Sequence, residues 1–377
     1  MALINYLVPV HFAAGALRTL PEEIARLGLR APLVVTDRGL VRAGLIDRLA
    51  AHVPGFDAAR VFDGTPENPT EGAVRRAAAL YREQGCDGIV AMGGGSPLDL
   101  AKGVALLATH PGPLARFAAT AGGMAHITAD VAPLIAIPTT AGTGSEVGRA
   151  AVLVLDDGRK VAVISPHLLP RSAICDPELT LSLPPRLTAG TGMDAIAHGL
   201  ETFLSPADNP PADALALDGL ARGVAHLPRA VTDGADLAAR REMMMASLQC
   251  GLAFQKGLGA VHAMSHPLGA LPGVTIHHGT ANAILLPAVL RFNAPVCADK
   301  FARIRTALGL PHDADLAVFF RELAGRVGLP LTLRTAGVPR ASLDALATAA
   351  ALDFSGRTNP RPVTSADYRR LYEESHD

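Results

Sequence analysis

From Gly257 to Leu290 the chain carries no Asp, Glu, Lys or Arg, yet it holds four histidines: His262, His266, His277 and His278. In a chain of 377 residues so long an uncharged run belongs in the interior, and its three prolines and five glycines argue against a membrane-spanning helix. Imidazoles carried inward need partners, because a buried polar group left unpaired costs on the order of 1–3 kcal/mol. A metal ion supplies such partners. His262 and His266 are four apart, so on a helix continuing from the preceding segment they project from one face, and Pro267 is expected to end that helix. The turn Leu271-Pro272-Gly273 lets the chain fold back, so that His277 or His278 can bring a third ring to the first two.

A carboxylate for the same ion stands upstream. In Thr191-Gly192-Met193-Asp194-Ala195-Ile196-Ala197-His198, Asp194 and His198 share one face of a helix whose other residues are mostly apolar. One aspartate with three histidines makes a first shell for a divalent cation and leaves room for a substrate oxygen.

The first half of the chain has a different rhythm. Strand-like runs at 33–36, 60–62, 88–92 and 134–137 alternate with helical spacing at 39–51, 70–84 and 98–108, the pattern of a parallel sheet with crossover helices. Residues 151–155 and 160–164, joined through Asp156-Asp157-Gly158, read as a hairpin added to that sheet. The strand ending at Met92 runs into Gly93-Gly94-Gly95-Ser96-Pro97, with Ser96 suited to cap the next helix and Pro97 to open it, so free amides would point at whatever lies above the strand. This is not the G-x-G-x-x-G arrangement. Residues 138–146, rich in hydroxyls and glycine, follow the next strand and offer Thr139, Thr140, Thr143 and Ser145 to a phosphate or ribose. Asp37, just past 33–36, is placed either to accept from ribose hydroxyls or simply to start a helix.

After Leu183-Pro184-Pro185 the strand pattern stops and eight helical candidates follow, at 191–203, 212–227, 237–254, 261–264, 281–292, 313–327, 341–351 and 366–374. The expected architecture is a Rossmann-like α/β domain over residues 1–182 and a helical domain over 183–377. A formal net charge of −1 with 18% charged residues gives no pull toward nucleic acid or an anionic membrane. Without a secretory signal, and with Cys86, Cys175, Cys250 and Cys297 scattered, the chain reads as a cytoplasmic protein with reduced thiols.

With these motifs in place, the chain closely resembles the iron-containing (group III) alcohol dehydrogenases, which share a fold with dehydroquinate synthase. The likeness runs through Gly93 to Pro97 with Asp99 and Lys102, Pro138 to Glu146, Gly192 to Glu201 and His262 to Pro267. Asn68-Pro69-Thr70, Asp176-Pro177 and Asn359-Pro360-Arg361-Pro362 extend it. The resemblance implies metal ligands Asp194, His198, His262 and His278, with His277 standing where the family usually has proline and offering an alternative to His278. It implies NAD on Gly94, Gly95 and Ser96, with Asp37, Asn68, Asp99, Thr139, Thr140, Thr143 and Ser145 also touching the cofactor. His266 is expected near the substrate as a proton relay, and Phe254 in the pocket wall. The implied enzyme is an NAD-linked dehydrogenase for a small alcohol or aldehyde, using Fe(II) or Zn(II), as a homodimer. A maleylacetate reductase would lack the metal set, and a dehydroquinate synthase-like lyase would need a basic cluster that this site region lacks.

Overall fold

A computed structural model describes residues 8–377. The described chain divides into a sheet unit, running to Thr140 and resuming over Ser145–Ser182, and a helical unit, Leu183–Asp377 together with Ala141–Gly144.

The sheet unit holds β1 (Val10–Phe12), β2 (Pro32–Val35), β3 (Val61–Phe62), β4 (Gly88–Gly93), β5 (Leu134–Pro138), β6 (Ala150–Val154), β7 (Lys160–Ile164) and β8 (Ser172–Cys175). Six of them form one parallel sheet in the order β1-β8-β5-β4-β2-β3. Both faces are covered, which is why the central strands are apolar at every position rather than at alternate ones. Leu33, Val35, Ile89, Ala91, Leu134 and Ala136 point into one core, beneath α4 (Glu71–Glu83) and α5 (Gly95–Thr109). Val34, Val90, Met92, Ile135 and Ile137 point into the other, against α1 (Leu20–Arg26) and α3 (Leu45–Ala50).

Two expectations need adjustment here. The predicted helix at 39–51 is two, α2 (Arg38–Arg42) and α3, because Gly44 takes a left-handed φ of 72° between them. The hairpin β6–β7 forms through the expected turn, but as a separate two-stranded sheet rather than an addition to the parallel one. Its apolar residues Leu153, Val161 and Val163 share the core of α4 and α5, and Val152 N donates to Asp99 Oδ2 at 2.9 Å, so it is held beside α5. Strands β1 and β8, which pair in parallel with each other, have no sequence forecast.

The helical unit contains α6 (Pro185–Leu204), α7 (Pro210–Thr232), α8 (Leu237–Ala253), α9 (Ala260–Leu268), α10 (His278–Asn293), α11 (Ala298–Ala307), α12 (Leu316–Arg326), α13 (Leu343–Leu352) and α14 (Ser365–His376). Among these α11 has no sequence forecast, since it buries only Phe301 and Ile304. Nor does α9 continue α8: a 3₁₀ turn and Gly257, with φ 122°, separate them. Pro267 lies inside the last turn of α9, which ends one residue later, at Leu268. Among the described residues no helix is long and apolar enough to cross a membrane.

Candidate active site

Glycine against glycine sets the geometry of the helical unit's polar centre. A Cβ at Gly279 would fall 1.9 Å from Gly190 O and 2.9 Å from Asp194 Cβ, so the first turn of α10 lies directly on α6. His278, which opens α10, thereby meets Asp194, one turn along α6 from Gly190. His278 Nε2 is 3.6 Å from Asp194 Oδ1, and His262 Nε2, from α9, is 3.7 Å from the same oxygen. The three donor atoms lie within 4.8 Å of one another, a spacing suited to ligands around one divalent ion.

His198 approaches Asp194 Oδ1 through Nε2 at 4.0 Å and stacks on His262 with ring centroids 4.5 Å apart. Its Nδ1 is 3.3 Å from Gly142 O. Of the four ligands implied by resemblance, three therefore form the compact group and His198 stands at its edge. His277 is the N-cap residue of α10, and its Nδ1 lies 2.6 Å from where a Cβ of Gly190 would be, turned toward α6 rather than into the group.

Electrostatics favour positive charge at this point. Burial alone would raise the Asp194 carboxyl, but His198, His278 and His262 outweigh it and hold the carboxyl well below the usual range. Burial likewise disfavours a charged His262, yet Asp194 and Glu201 overcome it and push that ring up to about 9. His198, where burial dominates, is pulled down to about 4. A cation bound between Asp194 and the imidazoles would take the place of the proton His262 otherwise attracts, so the donor set fits a divalent metal in both chemistry and charge.

His266 lies beyond this group. Its ring stacks on His278 at 5.5 Å and on Phe354 at 6.0 Å, while Nδ1 is 2.9 Å from Asp353 Oδ2. Phe254, the expected wall residue, packs against His198 at 5.4 Å. His198 and His266 thus each have an aromatic neighbour, Phe254 and Phe354, beside the donor group.

In the sheet unit the two nucleotide-loop candidates lie side by side, because β4 and β5 pair in register up to Gly93 and Pro138. Thr139 N donates to Gly93 O at 2.9 Å, and a Cβ on Gly94 would sit 3.1 Å from Thr140 Cγ2. The capping forecast shifts by two residues: α5 opens at Gly95 with Gly94 as N-cap, and the Ser96 hydroxyl instead donates to Glu67 O. No side chain caps that end. Asp37 caps α2, accepting from Gly39 N at 2.7 Å and Leu40 N at 3.0 Å through Oδ1. Asn68 Oδ1 accepts from Lys160 Nζ at 3.0 Å. Asp99 is occupied internally, taking Ser145 Oγ at 2.6 Å as well as Val152 N. Buried Lys102 donates to Ser145 Oγ and Ala150 O, both at 2.8 Å. Thr143 falls in the 141–144 segment that groups with the helical unit.

Three polar residues at the centre were not singled out from sequence. Glu201 accepts from His262 Nδ1 at 2.5 Å, and its place one turn beyond His198 on α6 is a signal that helical spacing offers. Asn282, one turn along α10 from His278, donates to Asp194 Oδ1 at 2.7 Å. Asp353 meets His266 across 87 residues of chain, and nothing local to it marks that partnership.

Residues 9–177 match the family model described as iron-containing alcohol dehydrogenase, and residues 188–376 match that of the Fe-containing alcohol dehydrogenase family, C-terminal. The chain belongs to the iron-containing alcohol dehydrogenases. It is an oxidoreductase of the alcohol dehydrogenase type. Among its relatives is 4-hydroxybutyrate dehydrogenase of Cupriavidus necator, 56% identical over 382 residues and covering 100% of both chains. A crystal structure of 1,3-propanediol oxidoreductase superposes with a TM-score of 0.92 at 35% identity, over 99% of this chain and 100% of the other. Sulfoacetaldehyde reductase from Bifidobacterium kashiwanohense, solved in complex with NAD+, gives a TM-score of 0.88 at 30% identity over 99% of each chain.

Proposed function

We propose that this alcohol dehydrogenase interconverts an ω-hydroxy carboxylate of the 4-hydroxybutyrate type and its aldehyde, with NAD as hydride carrier and iron(II) as the metal. The observation that carries the metal-dependent reading is the convergence of Asp194 Oδ1, His262 Nε2 and His278 Nε2 within 4.8 Å. The substrate class rests on the 56% identity with 4-hydroxybutyrate dehydrogenase along the whole chain. Imidazole suits iron(II) and zinc(II) alike, and family membership favours iron.

Asp194, His262, His278 and, at the edge, His198 would hold the ion. A divalent cation held there supplies Lewis acidity, which polarises a carbonyl or eases loss of a hydroxyl proton. NAD supplies or takes the hydride. The rest is done by side chains. Asp353 holds the Nδ1 proton of His266, leaving Nε2 to accept or return the proton that the substrate hydroxyl exchanges. Phe254 and Phe354, against His198 and His266, keep water from the reacting carbon. The uncapped first amides of α5 at Gly94, Gly95 and Ser96 suit a pyrophosphate, and the glycines let it approach. Thr139, Thr140, Thr143, Ser145 and Asn68 would take the remaining cofactor contacts, with Asp99 and Lys102 bracing Ser145 from behind. Asp37, with Oδ1 engaged in capping, would offer Oδ2 to the ribose. A cytoplasmic homodimer completes the proposal: the four cysteines are free thiols, and the dimer rests on family likeness.

NADH absorbance tests this directly, with 4-hydroxybutyrate, its aldehyde and 1,3-propanediol as substrates and with iron(II) or zinc(II) restored after chelation. The expected kcat/KM favours the hydroxy acid over the diol by roughly tenfold or more. Asp194→Ala and His278→Ala lose roughly 100-fold or more, while His277→Ala stays within about tenfold of wild type. Turnover that survives chelation and His278→Ala undiminished removes the metal from the reaction.

A further inference from the structure

Glu201 has an arrangement that neither helix capping nor ion binding explains alone. It is 4% exposed on α6, one turn past His198, and both carboxylate oxygens face the start of α9. Oε1 accepts from Val261 N at 2.6 Å; Oε2 accepts from His262 N at 3.3 Å and from His262 Nδ1 at 2.5 Å. The remaining amide of that helix end is served separately, Ala260 N donating to Asn359 Oδ1 at 3.2 Å. Space for this is made by Gly259, where a Cβ would come 2.8 Å from Glu201 Oε1 and 2.9 Å from Asn359 Oδ1. One carboxylate thus holds the backbone of α9 and the ring of the residue it carries.

The consequence lies at the other ring nitrogen. A carboxylate can only accept, so Nδ1 of His262 must carry the proton in this contact, and a neutral ring then has its lone pair on Nε2. Nε2 is the atom 3.7 Å from Asp194 Oδ1, in the donor group. We propose that Glu201 is a positioning residue that fixes His262 as an Nε2 donor and thereby sets the affinity of the Asp194–His262–His278 group for a divalent ion. The same helix, α6, therefore contributes Asp194 directly and governs a histidine on α9 from behind. The inference rests on the metal-dependent reading above and adds to it a residue that touches neither ion nor substrate. Loss of such a carboxylate partner typically weakens metal binding 10–100-fold.

Glu201→Gln is the test, because the amide cannot serve Val261 N and both His262 N–H groups as acceptor. Affinity for zinc(II) is measured by competition with a chromophoric chelator. Wild type, Glu201→Gln and Asn359→Ala are compared, the last uncapping the same helix end without touching the His262 ring. The expected result is a 10–100-fold weaker Kd for Glu201→Gln and a change under about threefold for Asn359→Ala. In the zinc-loaded wild type, proton NMR is expected to show a far-downfield Nδ1 proton that Glu201→Gln lacks. If Glu201→Gln does not fold, Gly259→Ala, which crowds the carboxylate without altering its charge, is expected to weaken zinc binding in the same way. Wild-type affinity in these Glu201 or Gly259 variants, or an equal fall in Asn359→Ala, overturns the positioning role while leaving the metal site standing. A wild-type chain that binds no divalent ion overturns the metal-dependent reading itself.

Discussion

Buried ionisable residues carry most of the information at the scale of single side chains, and Glu146 shows how far local chemistry alone predicts behaviour. It is 3% exposed, and burial pushes its carboxyl up from 4.5 to about 7, with its own backbone amide and Lys102 opposing only in part. The folded chain therefore holds this proton more tightly than the unfolded one. Its contribution to stability is full below pH 4.5 and is lost as pH rises toward about 7. Glu146→Gln is expected to raise the unfolding free energy from urea denaturation over wild type at pH 8, by on the order of 3 kcal/mol, and to leave it nearly unchanged at pH 4. An equal effect at both pH values would mean that Glu146 is not protonated in the fold. Residue type and an apolar context made the His262 and Asp194 neighbourhoods readable from sequence in the same way. The choice between His277 and His278 was not, since adjacent residues in one loop differ only in which way the backbone turns them.

At the scale of elements, what matters is how closely two helices approach. Periodicity places Asp194 and His198 on one face of α6, and His262 with His266 on one face of α9, without any tertiary information. Their meeting depends on the Gly190–Gly279 contact, which lets α10 lie on α6 with no side chain between. Gly279→Ala is expected to push the first turn of α10 away, costing about 1–3 kcal/mol of unfolding free energy as read by urea denaturation, and to separate His278 from Asp194. Zinc binding by that variant should fall at least as far as its stability; wild-type affinity would show that the approach of the helices does not set the donor group. The fresh start of α9 after Gly257 has the same origin, because Glu201 and Asn359 cap it from segments that sequence order keeps 60 and 99 residues away.

For the whole molecule, every described donor of the candidate metal group sits in the helical unit, whereas Gly93, Gly94 and Gly95 of the first nucleotide loop sit in the sheet unit. Ion binding should therefore appear as stabilisation by mass action. At about 100 times the Kd the gain is about 2.7 kcal/mol, or several degrees in melting temperature. Chelation is expected to lower the thermal midpoint of wild type and leave Asp194→Ala unmoved; equal shifts would place the bound ion elsewhere. The parallel sheet, the helical second half, the two glycine-rich turns and the paired Asp/His spacings were all determined by sequence, because each depends on periodicity or turn chemistry within about a dozen residues. Only tertiary structure decided that His278 rather than His277 faces Asp194, that His198 stands at the edge, and that the hairpin forms its own sheet. It alone joined Glu201 to His262, Asp353 to His266 and Asn282 to Asp194, across 61, 87 and 88 residues. Backbone period dictates which side chains share a face, whereas the group opposite that face is chosen by the packing of distant segments, which no local pattern encodes.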